Sequence, residues 1–174
     1  KRIHACIDDG RSFLVEAGAG SGKTYSLVEA LRHILDKRGS GLVRRHQQVA
    51  CITYTNVASE EITSRTDRHP AILSCTIHSF CWSLIRPFQP ELRKAVSEME
   101  SWVERLEEAN GVGDRRVEYD LGYPKVEDGQ ILLGHNDVLT IMVKLLEQVK
   151  FRSILVSRYP IIFIDEYQDT DKAV

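Results

Sequence analysis

The sequence predicts an α/β fold: a parallel sheet flanked by helices, with a mainly helical insertion. Three observations point to it. Short β-branched or aromatic runs alternate with amphipathic stretches over residues 12–87, the order that builds a parallel sheet with right-handed crossovers. A glycine-rich segment, A-G-A-G-S-G-K-T from Ala17 to Thr24, joins the first such run to the first amphipathic one. After Pro90 the pattern turns helical, with apolar residues recurring at three and four, until a last apolar run from Ile161 to Ile164.

Taken in order, Ser12 to Ala17 is expected to be the first strand. A helix follows from Lys23 to about Lys37, with Leu27, Ala30, Leu31, Ile34 and Leu35 on one face, and Gly39-Ser40-Gly41 is expected to end it. Gln48 to Tyr54 reads as a second, buried strand. The next helix, Asn56 to about Arg68, takes Asn56 as its N-cap, and Pro70 closes that unit. Ala71 to Cys75 is a third short strand running into a helical stretch from Thr76 to about Ile85, interrupted at Pro87 and Pro90. Leu92, Val96, Met99, Val103 and Leu106 place a helix up to about Ala109. Asn110 to Gly134 is rich in Gly, Asp and charge, a loop with a weak hairpin around Val117 to Leu132, and a further helix runs from about Asn136 to Val149. Ile161 to Ile164 is a continuous apolar run, as in a central strand buried on both faces. Residues 1–87 and 151–174 therefore form one sheet domain and residues 88–150 the insertion.

The glycine-rich segment carries chemistry. Glycines at 18, 20 and 22 let the backbone curl so that successive N–H groups face phosphate oxygens, and the following helix adds its positive end. This is the strand, loop and helix order of a nucleotide-binding P-loop. Lys23 is placed to reach the β- and γ-phosphates, and the Thr24 hydroxyl to take one coordination position of a bridging Mg²⁺. Ala17, Gly18, Ala19, Gly20, Ser21, Gly22, Lys23, Thr24 and the adjoining Tyr25 are thus candidate nucleotide-binding residues, with Ala17 where the common pattern has glycine. A second acidic segment completes such a site: I-D-E-Y-Q-D-T, from Ile164 to Thr170. Asp165 suits an outer Mg²⁺ ligand, and Glu166 can accept a proton from the attacking water. Alone, two acids after a strand equally suit a solvated turn; the phosphate loop gives them a partner.

Composition sets limits. With 174 residues, 43% hydrophobic and 28% charged, the chain suits one globular domain or one domain carrying an insertion. A net charge of −2 and a pI near 6.3 exclude a body held to duplex DNA mainly by phosphate neutralisation. Nucleic-acid contact must then be local. Arg44, Arg45 and His46 form one small basic cluster and Arg65, Arg68 and His69 another, each equally readable as a solvated helix end. Four cysteines lack a C-x-x-C spacing, and Cys51 and Cys75 lie inside apolar runs. Cys75, His78 and Cys81 lack the second pair of ligands a structural metal site needs. No apolar run approaches the length of a membrane span and no secretory signal is visible, so a cytoplasmic location without membrane partners is expected.

Together the motifs resemble the first motor domain of superfamily 1 DNA helicases of the UvrD/Rep/PcrA type, with RecB and AddA among the relatives. Besides the phosphate loop and the D-E-Y-Q-D-T segment, I-T-Y-T-N-V-A-S-E-E-I-T-S-R (Ile52 to Arg65) looks like the family's motif Ia and T-I-H-S-F (Thr76 to Phe80) like its motif Ib. The insertion sits where that family places its accessory domain. The resemblance implies a RecA-like P-loop fold, ATP and Mg²⁺ as ligands, and a catalytic set of Lys23, Asp165 and Glu166, with Gln168 coupling the γ-phosphate to the DNA channel. It also implies single-stranded DNA and single/double-strand junctions as partners. Tyr54 would stack on a base, with Thr53, Thr55, Asn56, His78 and Ser79 as neutral donors to phosphates. Structural roles remain open for these: Tyr54 as a core cap, Asn56 as a helix cap, His78 as a local hydrogen-bonder.

The implied activity is ATP hydrolysis stimulated by single-stranded DNA, driving 3′-to-5′ translocation and unwinding in repair, recombination or phage defence. The alternative is a nucleotide-gated DNA sensor or partner subunit of a nuclease complex. A small P-loop kinase would have no reason to carry both T-Y-T-N and T-I-H-S-F. Two departures stand out. Arg2 falls where the family has a Gln that reads adenine. The later motifs and second motor domain are not in the chain up to Val174, so this piece alone is expected to bind nucleotide weakly and hydrolyse it poorly.

Overall fold

The run V-A-C-I-T folds as a strand with all five residues buried, as β-branched and small residues do where both faces of a sheet are covered. The structure is a computed structural model and describes residues 2–16 and 22–165. In chain order its elements are α1 (Arg2–Asp8), α2 (Lys23–Arg44), β1 (Val49–Thr53), α3 (Asn56–Arg65), β2 (Ile72–Thr76), α4 (Ile77–Ile85), α5 (Gln89–Ser97), α6 (Val103–Glu108), β3 (Arg116–Tyr119), β4 (Lys125–Glu127), β5 (Gln130–Leu133), α7 (His135–Leu146), α8 (Val149–Arg158) and β6 (Ile161–Ile164). The chain divides into two units. One holds the residues up to Cys75 together with Val156–Asp165, the other Thr76–Leu155.

The first unit is α/β. Its sheet has the order β2-β1-β6, with β1 and β6 parallel and Val49 opposite Ile161, Ile52 opposite Ile164. Ile7 of α1, Ala30, Leu31, Ile34 and Leu42 of α2, and Ile62 of α3 pack with Val49, Cys51 and Ala71 as one apolar core. The predicted alternation of strands and helices thus holds for this unit, with several local corrections.

The expected strand Ser12 to Ala17 does not form across the described residues 11–16; Ala17 lies outside them. Phe13, Leu14 and Val15 are 37%, 67% and 45% exposed, although the Phe13 ring meets Phe163 of β6 edge-on at 6.2 Å between centroids. Consequently β6 is an edge strand among the described residues, with Ile162 and Ile164 38% and 39% exposed, rather than a strand buried on both faces.

Helix α2 does not stop at Gly39 but continues to Arg44. Gly39 is buried, and a Cβ there would lie 3.6 Å from the His69 ring and from Leu35. The missing side chain lets the helix lie close to residue 69, and that packing outweighs the roughly 1 kcal/mol glycine penalty. At α3 the cap is Thr55, not Asn56: the Ala58 N–H donates to Thr55 Oγ1 at 3.2 Å. Thr55→Ala should cost about 1 kcal/mol while Thr55→Ser retains the cap; the urea midpoint of the protein measures both.

The second unit combines helices with a small sheet of order β3-β5-β4. The hairpin is β4–β5, antiparallel around Asp128 and Gly129, where Gly129 has φ +84°. β3 pairs with β5 in parallel instead of forming the expected hairpin from Val117. On β3, Gln89 donates from Nε2 to the Val117 carbonyl and accepts the Val117 N–H at Oε1, both at 2.9 Å. The single helix expected up to Ala109 is broken into α5, a 3₁₀ turn at Glu100–Trp102, and α6. Met99 is extended at φ −86°, ψ 122°, and the break accompanies complete burial of Trp102. Helix α7 starts at His135 and ends at Leu146, and α8 occupies a stretch for which the sequence suggests no separate helix. No helix among the described residues is long and apolar enough to cross a membrane.

Candidate nucleotide and nucleic-acid site

Helix α2 opens on Gly22, whose φ of 81° and ψ of 28° are left-handed. An L-residue there would pay for that conformation, which glycine adopts without strain. Among the described residues no side chain caps the helix, and its first turn carries no acid. A helix start carries the positive end of the helix dipole and suits an anion. Lys23 and Thr24 are half-buried in that first turn, and Tyr25 is 63% exposed. Ala17, Gly18, Ala19, Gly20 and Ser21 lie outside the described residues, as do Glu166 and Gln168.

Asp165 follows β6 directly, and its N–H donates to the Ile52 carbonyl of β1 at 2.8 Å. Because β1 and β6 are parallel, Asp165 and the segment from Thr53 leave the sheet at the same, carboxyl-terminal edge. That is where open parallel sheets bind their ligands. A carboxylate at a strand end and a threonine hydroxyl are the oxygen donors Mg²⁺ prefers. The neighbouring thiols are inert: burial, then Cys75 and Asp165, push Cys51 far up, and burial raises Cys75 to about 11.

Beyond Thr53 the chain turns outward. The Thr53 side chain is buried and its hydroxyl donates to the Thr55 carbonyl at 3.0 Å. The Thr53 hydroxyl, expected as a phosphate donor, here spans the turn. Tyr54 is 64% exposed and Val57 80%, so Tyr54 does not cap the core. Thr55 and Asn56 are also exposed. In the second unit, Thr76 caps α4: Ser79 N–H donates to Thr76 Oγ1 at 3.4 Å, and the Thr76 hydroxyl donates to Ser79 Oγ at 3.0 Å. His78 is half-buried on the same turn.

The basic clusters are engaged locally. Arg65 pairs with Glu61 at 2.8 Å and Arg68 with Glu60 at 2.6 Å. Arg45 donates to Gln47 at 2.8 Å, and His69 Nδ1 accepts the Ala71 N–H at 3.2 Å. They are solvated ends rather than a continuous basic face. Arg2 is exposed at the start of α1. Sequence reasoning missed the rings beside His78. His135, first residue of α7, stacks on it at 4.2 Å between centroids, and Tyr119 of β3 hydrogen-bonds His135 Nδ1. A histidine at a helix start 57 residues away leaves no periodic trace that could have paired them.

A parallel sheet flanked by helices, with an acid at its carboxyl edge and a glycine-led helix in the same unit, is an α/β arrangement consistent with a helicase motor domain. The chain belongs to the UvrD/REP helicase N-terminal domain family, whose sequence model matches residues 2–110 and 88–174. It is similar to the Gabija protein GajB of Bacillus cereus strain HuB5-5, 25% identical over 99% of this chain and 38% of that protein. A second GajB, from strain VD045, is 32% identical over 95% of this chain and 33% of that protein. The ATP-dependent DNA helicase UvrD1 of Mycobacterium leprae is 33% identical over 47% of this chain and 11% of its own length. The chain spans little more than a third of the Gabija proteins it matches.

Proposed function

We propose that this chain is the amino-terminal part of an ATP-driven DNA motor, a RecA-like P-loop domain formed by residues 1–87 and 151–174 with residues 88–150 inserted as an accessory layer. The observation that carries the reading is the left-handed, glycine-led start of α2, in a unit whose sheet delivers Asp165 and the Tyr54 turn to one edge. Membership of the family supports it.

In this reading the phosphate loop from Ala17 to Ser21, with Gly22, Lys23, Thr24 and Tyr25, cradles the triphosphate of ATP. Lys23 places its charge against the β- and γ-phosphates, where negative charge grows in the transition state. Thr24 and Asp165 would hold Mg²⁺, which supplies charge neutralisation between the phosphates when bound. Glu166 takes the proton of the attacking water, and Gln168 reports the γ-phosphate to the DNA channel. Tyr54, Thr55 and Asn56 meet single-stranded DNA at the sheet edge, and His78 and Ser79 meet it from the start of α4. Closure of a second motor domain over ATP and its release after hydrolysis would give stepping, in the 3′-to-5′ direction of the family, toward single/double-strand junctions.

The decisive experiment is ATP turnover by the protein that carries this chain, with and without oligothymidylate, beside strand displacement from a 3′-tailed duplex. Stimulation with displacement supports the motor, and no stimulation rejects it. Stimulation without displacement would instead support a nucleotide-gated sensor or nuclease partner, the reading that coverage of nearly the whole chain by the Gabija proteins keeps in play. A cytoplasmic setting suits either. Tyr54→Ala should weaken oligothymidylate binding by about 1–3 kcal/mol, the scale of one base–aromatic stack, as fluorescence anisotropy would read.

A further inference from the structure

Four rings line up in the second unit. Trp82 of α4 lies 6.0 Å from Tyr119 of β3, Tyr119 lies 5.5 Å from His135 at the start of α7, and His135 stacks on His78 of α4 at 4.2 Å with 28° between planes. The Tyr119 hydroxyl hydrogen-bonds His135 Nδ1. Burial raises the Tyr119 phenol, which stays protonated. Its hydrogen bond to Nδ1 fixes the orientation of the His135 ring, with donor and acceptor set by the imidazole tautomer. Burial, and after it the nearby His135, hold His78 below the usual histidine range. The carboxylates on the elements around this stack are engaged elsewhere. Glu118 of β3 pairs with Arg86 at 3.8 Å and also with Arg116, and Asp137 of α7 accepts the Gly134 N–H at 2.9 Å.

We propose that His135 and Tyr119 are positioning residues for His78: the hydroxyl-anchored His135 ring holds the His78 imidazole flat against α7, with its nitrogen edge set to meet a phosphate of single-stranded DNA. This rests on the DNA-motor reading above and adds a role for the inserted layer, which nothing in motif Ib itself provides. A half-buried imidazole on a helix start samples several rotamers unless a neighbour fixes it. A stacked ring fixes the plane, and the hydroxyl fixes the stacked ring. Burial, and after it the nearby His135, disfavour the charged form of His78, so His78 meets the phosphate as a neutral donor near neutral pH and gains charge on acidification.

The test uses the protein that carries this chain, with fluorescein-labelled oligothymidylate as the probe. His135→Ala should weaken binding near neutral pH by about three- to tenfold, the scale of one well-placed hydrogen bond. His135→Phe keeps a ring for the stack and should restore affinity to within about twofold of the parent. It also removes the neighbouring imidazole that helps hold His78 low, so His78, followed by NMR of its Cε1–H, should titrate at higher pH than in the parent. The rise of DNA affinity on acidification should move to higher pH with it. A purely structural role for His135 would leave that titration in place. Parental affinity in His135→Ala, or an unmoved His78 titration in His135→Phe, overturns the proposal. If the parent itself does not bind oligothymidylate, the DNA reading fails and the proposal falls with it, while the His78 titration still reports separately whether the two rings are coupled.

Discussion

Replacing Lys23 by Ala is expected to lower DNA-stimulated ATP turnover by about 10²–10³-fold, the loss seen when one preorganised electrostatic contact to a developing charge is removed. The reason lies in the start of α2. With Gly22 left-handed and no acid in the first turn, the backbone N–H groups supply only partial charge at this end of the helix. Among the first-turn side chains Lys23 alone is a cation. Under the proposed mechanism its removal should depress kcat more than it raises KM for ATP, since charge builds on the leaving oxygen between the β- and γ-phosphates in the transition state. Folding should be unaffected, because Lys23 is not part of the apolar core of its unit. Turnover at the parental rate, measured by phosphate release on oligothymidylate, would remove the phosphate loop from the mechanism.

Trp102→Ala is expected to destabilise the protein by about 3–5 kcal/mol, as large aromatic truncations in packed cores do. Trp102 is 0% exposed, and Arg105 lies over its ring at 5.7 Å. Its Nε1–H is buried without a hydrogen-bond partner among the described residues. Leaving such a donor unpaired costs about 1–3 kcal/mol, so Trp102→Phe, which removes the orphan along with part of the ring, should lose far less than the Ala variant. Thermal or urea unfolding of the two variants compares them directly. Equal losses would mean that neither the retained ring nor the removal of the orphaned donor matters at this position.

Legibility of the sequence followed the kind of signal each segment carried. β1, α3 and α4 were readable because unbroken apolar runs and threonine or asparagine punctuation are local. Even there the cap of α3 moved by one residue, to Thr55, since adjacent capping side chains compete for the same N–H. α2 ran past Gly39 because close approach to His69 rewards the missing side chain, and that neighbour is thirty residues away. The break before α6 was hidden because Leu92, Val96, Met99, Val103 and Leu106 keep a helical period through it; only burial of Trp102 reveals the turn. Asp165 and the Tyr54 turn were legible as motifs, while their common sheet edge needed the β1–β6 register. The stack of His135 on His78 had no sequence trace, being a contact between two helix starts.

The Gln89 side chain behaves toward β3 as a stand-in peptide, offering one donor and one acceptor to Val117. An outermost strand with unmet backbone groups is a template for recruiting another chain. Here a single amide occupies the middle of that rim, so a foreign strand would first have to displace it. Protection against self-association is in this way entrusted to one residue of a neighbouring helix, leaving the other rim, along β4, as the side from which this small sheet can still grow.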